Sequence, residues 1–129
     1  MRGFATSSNV TLTSVTLLLA RPTTGTASVQ IYSDQSGKPG ALVGTLVSPG
    51  SFSTNLAQTT FTTAGLALNA NTTYWVVLKA GSGAFNWSWT ADNTGAGAGF
   101  RSRWATSPDG GGSWTTSSTF PLQMEVTAE

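Results

Sequence analysis

Apolar and polar residues alternate with a period of two along most of this chain, and no helical period of useful length appears. Successive side chains of a strand point to opposite faces, so the alternation predicts half-buried strands. The closing stretch FPLQMEV shows the pattern most cleanly. We predict strands at residues 11–20, 27–33, 42–47, 58–62, 74–79, 84–90, 100–106 and 120–127, with shorter pieces at 65–68 and 113–116.

Residues that favour turns separate these segments, in the stretches RPTTG, DQSGKPG, SPG, NANTT, AGSG, DNTGAGAG and SPDGGG. Pro39 followed by Gly40 is the clearest single turn signal. Eight or more short strands joined by frequent turns predict an all-β fold, a two-sheet antiparallel β-sandwich of jelly-roll-like form. The length of 129 residues suits one domain that spans residues 1–129.

The stretch AFNWSWT, residues 84–90, raises the main functional question. As a strand it places Phe85, Trp87 and Trp89 on one face and three polar residues on the other. Burying the polar face while exposing the aromatic face would cost free energy twice, so we expect the aromatic face to point into the core. We expect Trp87 to be buried. Trp89 and Trp104, nearer to loops, are the candidates for exposure.

Composition narrows the function classes. Charged residues make up 9 % of the chain, against roughly a quarter in an average domain. The net charge of +1 gives no field that would attract nucleic acid or an anionic membrane. The apolar runs VTLLLA and YWVVL are too short to span a bilayer. We therefore expect neither a nucleic-acid partner nor insertion of this chain into a membrane.

Catalytic chemistry lacks its usual residues. The chain has no His and no Cys, which leaves a Ser nucleophile without its usual base and excludes disulfides and thiolate metal sites. A glycosidase needs two facing carboxylates, and the five acidic residues suggest no such pair. We predict that the protein is not an enzyme and has no cofactor, with a structural calcium ion as the one exception to test.

Calcium requires several oxygen ligands. Asp34 in the DQSGKPG turn is one candidate ligand, and Asp92 with Asn93 is a second option. A carboxylate that caps its own turn explains both places equally well. Lys79 follows Trp75 and Val77 on one strand face, and we expect its ammonium to reach solvent at the strand end.

The segment SPDGGGSW matches the Asp-box pattern S-x-D-x-G-x-[ST]-W through Ser107, Asp109, Gly111, Ser113 and Trp114. In such a turn the Asp accepts hydrogen bonds from backbone amides, the Gly adopts a positive φ and the Trp packs beneath. A single copy predicts a structural turn.

Five segments taken in order, TLTSVTLLLA, VQIYSDQSGKPGALVG, LALNANTTYWVVL, SPDGGGSWT and FPLQMEVTA, resemble the choice-of-anchor domains of bacterial surface and secreted proteins, and most closely their type R. The resemblance implies an extracellular or cell-surface, non-catalytic β-sandwich of a kind that is often followed by one of several interchangeable C-terminal anchoring tails. It supplies no ligand and no site residues. We expect the chain to be a domain excised from, or part of, a larger extracellular protein.

Two functional hypotheses follow. The first is a structural or adhesive module that pairs with itself or with other surface proteins through open sheet edges, as a unit of a layer or fibre. The second is a carbohydrate-binding module that recognises polysaccharide with Trp89, Trp104, Arg101 and Arg103. A solvated strand face is the simpler interpretation of the two arginines.

The Asp-box interpretation predicts that Asp109→Ala lowers the melting temperature, because the turn loses the acceptor of its amide hydrogen bonds. Thermal unfolding followed by circular dichroism measures this. An unchanged melting temperature would contradict the structural role.

Overall fold

The computed structural model describes residues 2–4, 8–21, 25–49, 51–80, 85–87, 100–106, 115–117 and 124–128. Every regular element in these ranges is a strand, and every strand pairing is antiparallel. The strands are β1 (Arg2–Phe4), β2 (Val10–Ala20), β3 (Ala27–Gln35), β4 (Lys38–Thr45), β5 (Ala57–Leu68), β6 (Tyr74–Ala80), β7 (Asn86–Trp87), β8 (Phe100–Thr106), β9 (Thr115–Ser117) and β10 (Met124–Ala128).

The strands form two sheets. The first has six strands in the order β4-β3-β6-β1-β8-β9, and the second has the order β10-β2-β5. β7 pairs with the end of β2, on the side where β10 also lies. Of the described strands, only β3–β4 and β8–β9 are consecutive in the chain and neighbours in a sheet. The prediction of an all-β, two-sheet antiparallel sandwich is confirmed.

The main core lies between the two sheets, where the apolar positions of the alternating strands meet. Burying each large apolar side chain there stabilises the fold by about 1.5–3 kcal/mol. Fully buried members come from both sheets: Leu12, Val15, Leu17, Leu19, Phe61 and Leu68 from the second, and Val29, Ile31 and Val76 from the first.

β6 is buried on both of its faces. Tyr74 and Val76 belong to the main core, whereas Trp75 and Val77 form a second cluster against which Tyr32 packs. This explains why the segment YWVVL is continuously apolar instead of alternating, as in strands that are covered on both sides. At its end Lys79 is exposed, as expected.

The hairpin between β3 and β4 turns at a different place from the one predicted. It turns at Ser36 and Gly37, which have φ values of 55° and 85°. Two consecutive positive φ angles define a type I′ turn, the form that matches the twist of two-residue hairpins. Pro39 and Gly40 lie within β4, so their interpretation as the turn was wrong. Proline is tolerated there because β4 is an edge strand.

Other boundaries also differ from the predictions. β5 runs continuously through the predicted 58–62 and 65–68 segments, with a register shift opposite β2 and a positive φ of 141° at Gly65. β1 was not predicted, because three residues offer too little alternation to detect. The remainder of the predicted strands 84–90 and 120–127 lies outside the described residues. Nowhere in the described part of the chain is there a helix of the length and hydropathy needed to cross a membrane.

The type I′ turn generates a pair of opposite predictions. Gly37→Ala places a Cβ at a positive φ and lowers the unfolding free energy by about 1 kcal/mol. Ser36→Asn introduces a residue that tolerates the left-handed region, so we expect stability to hold or rise by roughly 0.5 kcal/mol. Urea unfolding of both variants measures the two changes, and a loss of stability in Ser36→Asn would contradict this turn assignment.

Candidate functional site

Three of the predicted carbohydrate-binding residues lie on β8. The backbone of Arg101, Arg103 and Trp104 runs between β1 and β9 in the first sheet, where Trp104 pairs with Arg2 and with Ser117. The surroundings of their side chains are outside what the structure describes, so their role stays a prediction.

Several further predictions fall on residues outside the described ranges. They concern the fourth carbohydrate-binding residue, the second calcium option and the Asp-box turn. These residues are Trp89, Asp92, Asn93, Ser107, Asp109, Gly111, Ser113 and Trp114.

The described part of the AFNWSWT stretch packs inward. Trp87 is partly buried and packs against the main core. The ring of Phe85 meets Phe52 edge-to-face, with centroids 5.0 Å apart, and Phe52 in turn lies 6.2 Å from Phe61. The Arg21 guanidinium lies over Phe52, 5.9 Å from the ring centroid. Trp87 thus has the expected inward orientation, but it is half-buried where burial was expected, and Phe85, also half-buried, packs on Phe52.

The first sheet has a second chemical surface on the side away from the main core. Since Val29, Ile31 and Val76 point into the core, their neighbours on β3 and β6 point away from it. Three cross-strand pairs result, and together they define the outer face: Tyr32 with Trp75, Gln30 with Val77, and Ser28 with Lys79.

Asp34 anchors the aromatic end of the outer face. Trp75 is 1 % exposed, and its indole Nε1–H donates to Asp34 Oδ1 over 2.8 Å. Asp34 Oδ2 accepts a 3.4 Å hydrogen bond from the amide of Gly37, and the Asp34 amide donates to Thr73 O. The carboxylate therefore caps the hairpin turn and satisfies a buried donor.

This geometry bears on the calcium hypothesis. Both Asp34 carboxylate oxygens already accept hydrogen bonds from the protein. Within the ranges that the structure describes, no group of three or more His, Cys, Asp or Glu residues comes together. Of the two explanations for Asp34, the capped turn is the one that its hydrogen bonds support.

A chain of hydrogen bonds crosses the centre of the outer face. The Tyr32 hydroxyl donates to Gln30 Oε1 over 3.1 Å, and Gln30 Nε2 donates to Thr45 Oγ1 on β4 over 3.4 Å. Because Gln30 lies two residues before Tyr32 on the same strand face, this bond requires the Tyr32 ring to lie along the strand. The ring is half-buried, so it covers the second cluster and leaves part of its surface to solvent.

A shallow depression of about 310 Å³ lies at the other end of the outer face. It is lined by Thr26, Ala27, Ser28, Gln30 and Lys79. The lining is a mixture of hydroxyls, one amide and one ammonium group. Among the described residues, no acidic side chain pairs with Lys79, which is exposed. The outer face thus runs from an aromatic end to a cationic, hydroxyl-rich end.

Comparison with known proteins adds no assignment: no protein-family model, curated protein or solved structure matches this chain.

Sequence reasoning missed the outer face. The alternation in SVQIYS was a usable signal, because it places Ser28, Gln30 and Tyr32 together on one side of β3. The pairing of Tyr32 with Trp75 depends on the register between strands that are far apart in the sequence, which no local pattern reveals.

The tether between Asp34 and Trp75 yields a stability prediction. Asp34→Ala leaves the buried indole N–H without an acceptor, so we expect the unfolding free energy to fall by about 1–3 kcal/mol. Asp34→Asn keeps a side-chain oxygen acceptor and is the matched control, with a smaller loss. Urea unfolding measures both.

A double-mutant cycle isolates the contact. In a Trp75→Phe background the donor is absent, so Asp34→Ala should cost clearly less than it does in the original chain. Equal costs in the two backgrounds would show that the tether does not stabilise the fold.

Proposed function

We propose that this chain is a non-catalytic structural or adhesive β-sandwich module of a bacterial surface or secreted protein, and that copies of it associate through one side of the sandwich. The extracellular location and the bacterial source come from the resemblance to choice-of-anchor domains. The observation that supports association is the concentration of exposed apolar residues on the side where β4 and β5 lie.

β4 and β5 are each the outermost strand of their sheet. Just after β4, the backbones of Val47 and Thr62 exchange two hydrogen bonds of 2.6 and 3.1 Å, which joins the two edges. A Cβ added at Gly44 would lie 2.9 Å from Leu66 Cδ1, so β4 and β5 approach closely here and a larger residue would displace the Leu66 side chain. We call the surface formed by residues 38–47 and 56–68 the seam.

The seam exposes apolar side chains. The exposed large hydrophobic residues in the described ranges are Leu42, Val43, Val47 and Leu56, with exposed fractions of 53, 36, 66 and 54 %. All four fall between residues 42 and 56. Leu42 and Val43 are consecutive on β4 and point to opposite sides of it. Leu56 lies just before β5, six residues from the Thr62 that meets Val47. The four residues are therefore spread along the two edges, and exposed apolar residues along one edge of a domain support its use as an association surface.

The backbone of β4 favours contact through side chains over continued sheet pairing. Its register with β3 shifts twice, and at one shift the Ser33 hydroxyl takes the place of a backbone partner for Ala41. Bulges and a proline on an edge strand hinder the addition of a regular strand. We therefore propose that association buries the apolar side chains of the seam, not that it extends the first sheet.

A second function, carbohydrate binding, is favoured by the outer face. Its Tyr32 ring lies along the sheet beside a positioned amide, and a depression with hydroxyl groups adjoins it. Binding sites for small ligands combine an apolar or aromatic surface with a few positioned polar groups. This surface adds to the predicted residues on β8 and does not replace them.

The seam proposal predicts that the protein's mean mass rises with concentration in sedimentation equilibrium. Val47→Lys combined with Leu56→Lys should weaken the association by at least about tenfold, because each lysine places a charge in a contact that must lose water. Thr127→Lys combined with Ala128→Lys, two exposed positions on β10, adds the same two charges on another strand and should leave the association unchanged.

Circular dichroism spectra of all three proteins verify that the fold persists. A protein that stays monomeric at every concentration would overturn the seam proposal.

A further inference from the structure

We propose that the outer face binds a carboxylated polysaccharide, with a sugar ring on Tyr32 and a carboxylate at Lys79. This inference rests on the second proposed function, carbohydrate binding, and it names the ligand class and the place of binding. Neither the seam nor the residues on β8 are needed for it.

The dimensions of the outer face suit an extended chain ligand. Ser28, Gln30 and Tyr32 occupy alternate positions of one strand, and residues two apart on a strand are separated by about 6.6 Å. The face therefore extends over about 13 Å from Ser28 to Tyr32. Thr45 widens it on the β4 side, opposite Gln30.

The Tyr32 ring supplies the apolar contact. Its hydroxyl is held by Gln30 and the ring packs against the cluster of Trp75 and Val77, so little side-chain entropy remains to be lost on binding. The exposed part of the ring offers a flat surface to the C–H face of a sugar. The second N–H of the Gln30 amide, which Thr45 does not use, is a donor for a sugar hydroxyl.

The charges of the outer face determine where an anion binds. Lys79 is exposed, and no acidic group in the described ranges neutralises it. Asp34 lies beyond the aromatic end, where its negative charge disfavours a second anion. A carboxylate is therefore complementary to the Lys79 end alone, next to the hydroxyl of Ser28 and the depression.

The ligand combines charge with hydroxyl groups. The depression presents two hydroxyl-bearing residues and one amide beside a single ammonium group. The ammonium group can bind one carboxylate, and the neighbouring hydroxyls and amide can bind sugar hydroxyls. A ligand with one carboxylate per sugar and several hydroxyls is therefore complementary to the depression. Uronate polysaccharides have this chemistry, and polygalacturonate is the probe that we choose.

The test compares polygalacturonate with its methyl ester, in which the same sugars carry no charge. Affinity electrophoresis and titration calorimetry of the full chain should show saturable binding to polygalacturonate and clearly weaker binding to the ester. Dextran sulfate, a sugar polymer whose anionic groups are sulfates, is the control for unselective attraction to a polyanion, and binding to it as strong as to polygalacturonate would overturn the carboxylate class.

Variants locate the site. Lys79→Gln should weaken binding to polygalacturonate by roughly fivefold and leave binding to the ester unchanged. Lys38→Gln removes an exposed lysine from the hairpin and is the matched control, with no expected change. Tyr32→Ala should weaken binding to both polymers, while Tyr32→Phe keeps the ring and should retain most of the affinity.

Each contrary result has a defined meaning. Equal affinity for polygalacturonate and its ester would overturn the carboxylate class and leave carbohydrate binding intact. Binding that Lys79→Gln and Tyr32→Ala do not change, or that Lys38→Gln weakens as much, would overturn the site. Absence of binding to every polymer would overturn this inference and the carbohydrate-binding role of the outer face, without touching the seam or the predicted residues on β8.

Discussion

The structure depends on the fact that the first four residues of β6, residues 74–77, are buried on both faces of the strand. Its inward residues complete the main core, and its outward residues Trp75 and Val77 must also be kept from water. Trp75 brings a buried N–H donor with it, and a buried donor needs an acceptor. Asp34 meets that need from β3, and the same carboxylate caps the turn into β4. The buried indole N–H of β6 and the turn between β3 and β4 therefore share one carboxylate, that of Asp34.

The two surfaces with functional potential meet at this hairpin. Leu42 on β4 pairs with Tyr32 on β3, which in turn pairs with Trp75 on β6. An apolar row therefore crosses three strands of the first sheet, from the seam to the aromatic end of the outer face. Thr45 makes a similar connection, because it lies on the edge strand and accepts a hydrogen bond from Gln30. A partner bound at the seam would thus lie beside a ligand on the outer face.

Much of the fold was predictable from the sequence because period-two alternation is a local signal. It gave β2, β3, β6 and β8 nearly to the residue, and the cost of burying polar groups correctly oriented Phe85 and Trp87. The turn at Ser36 was missed because the signal of Pro39 and Gly40 is stronger in isolation, and only strand pairing shows that they lie on an edge strand. The candidate site was largely missed, since it arises from the register of β3 against β6 and from a tryptophan hidden in a continuous apolar run.

The strand order of the second sheet affects how the protein folds while it is being synthesised. β2 lies between β5 and β10, and Thr13 on β2 donates its hydroxyl to the carbonyl of Thr127. On the ribosome β2 emerges well before β10, the strand that completes its other edge, because the bonded residues Thr13 and Thr127 are 114 positions apart in the sequence. Pairings so distant in sequence form slowly, and until residues 124–128 emerge β2, which carries Leu12, Val15 and Leu17 of the main core, lacks the partner strand β10. Correct folding of the sandwich therefore depends on how fast the chain is synthesised and on whether a chaperone covers the unpaired edge of β2 in the meantime.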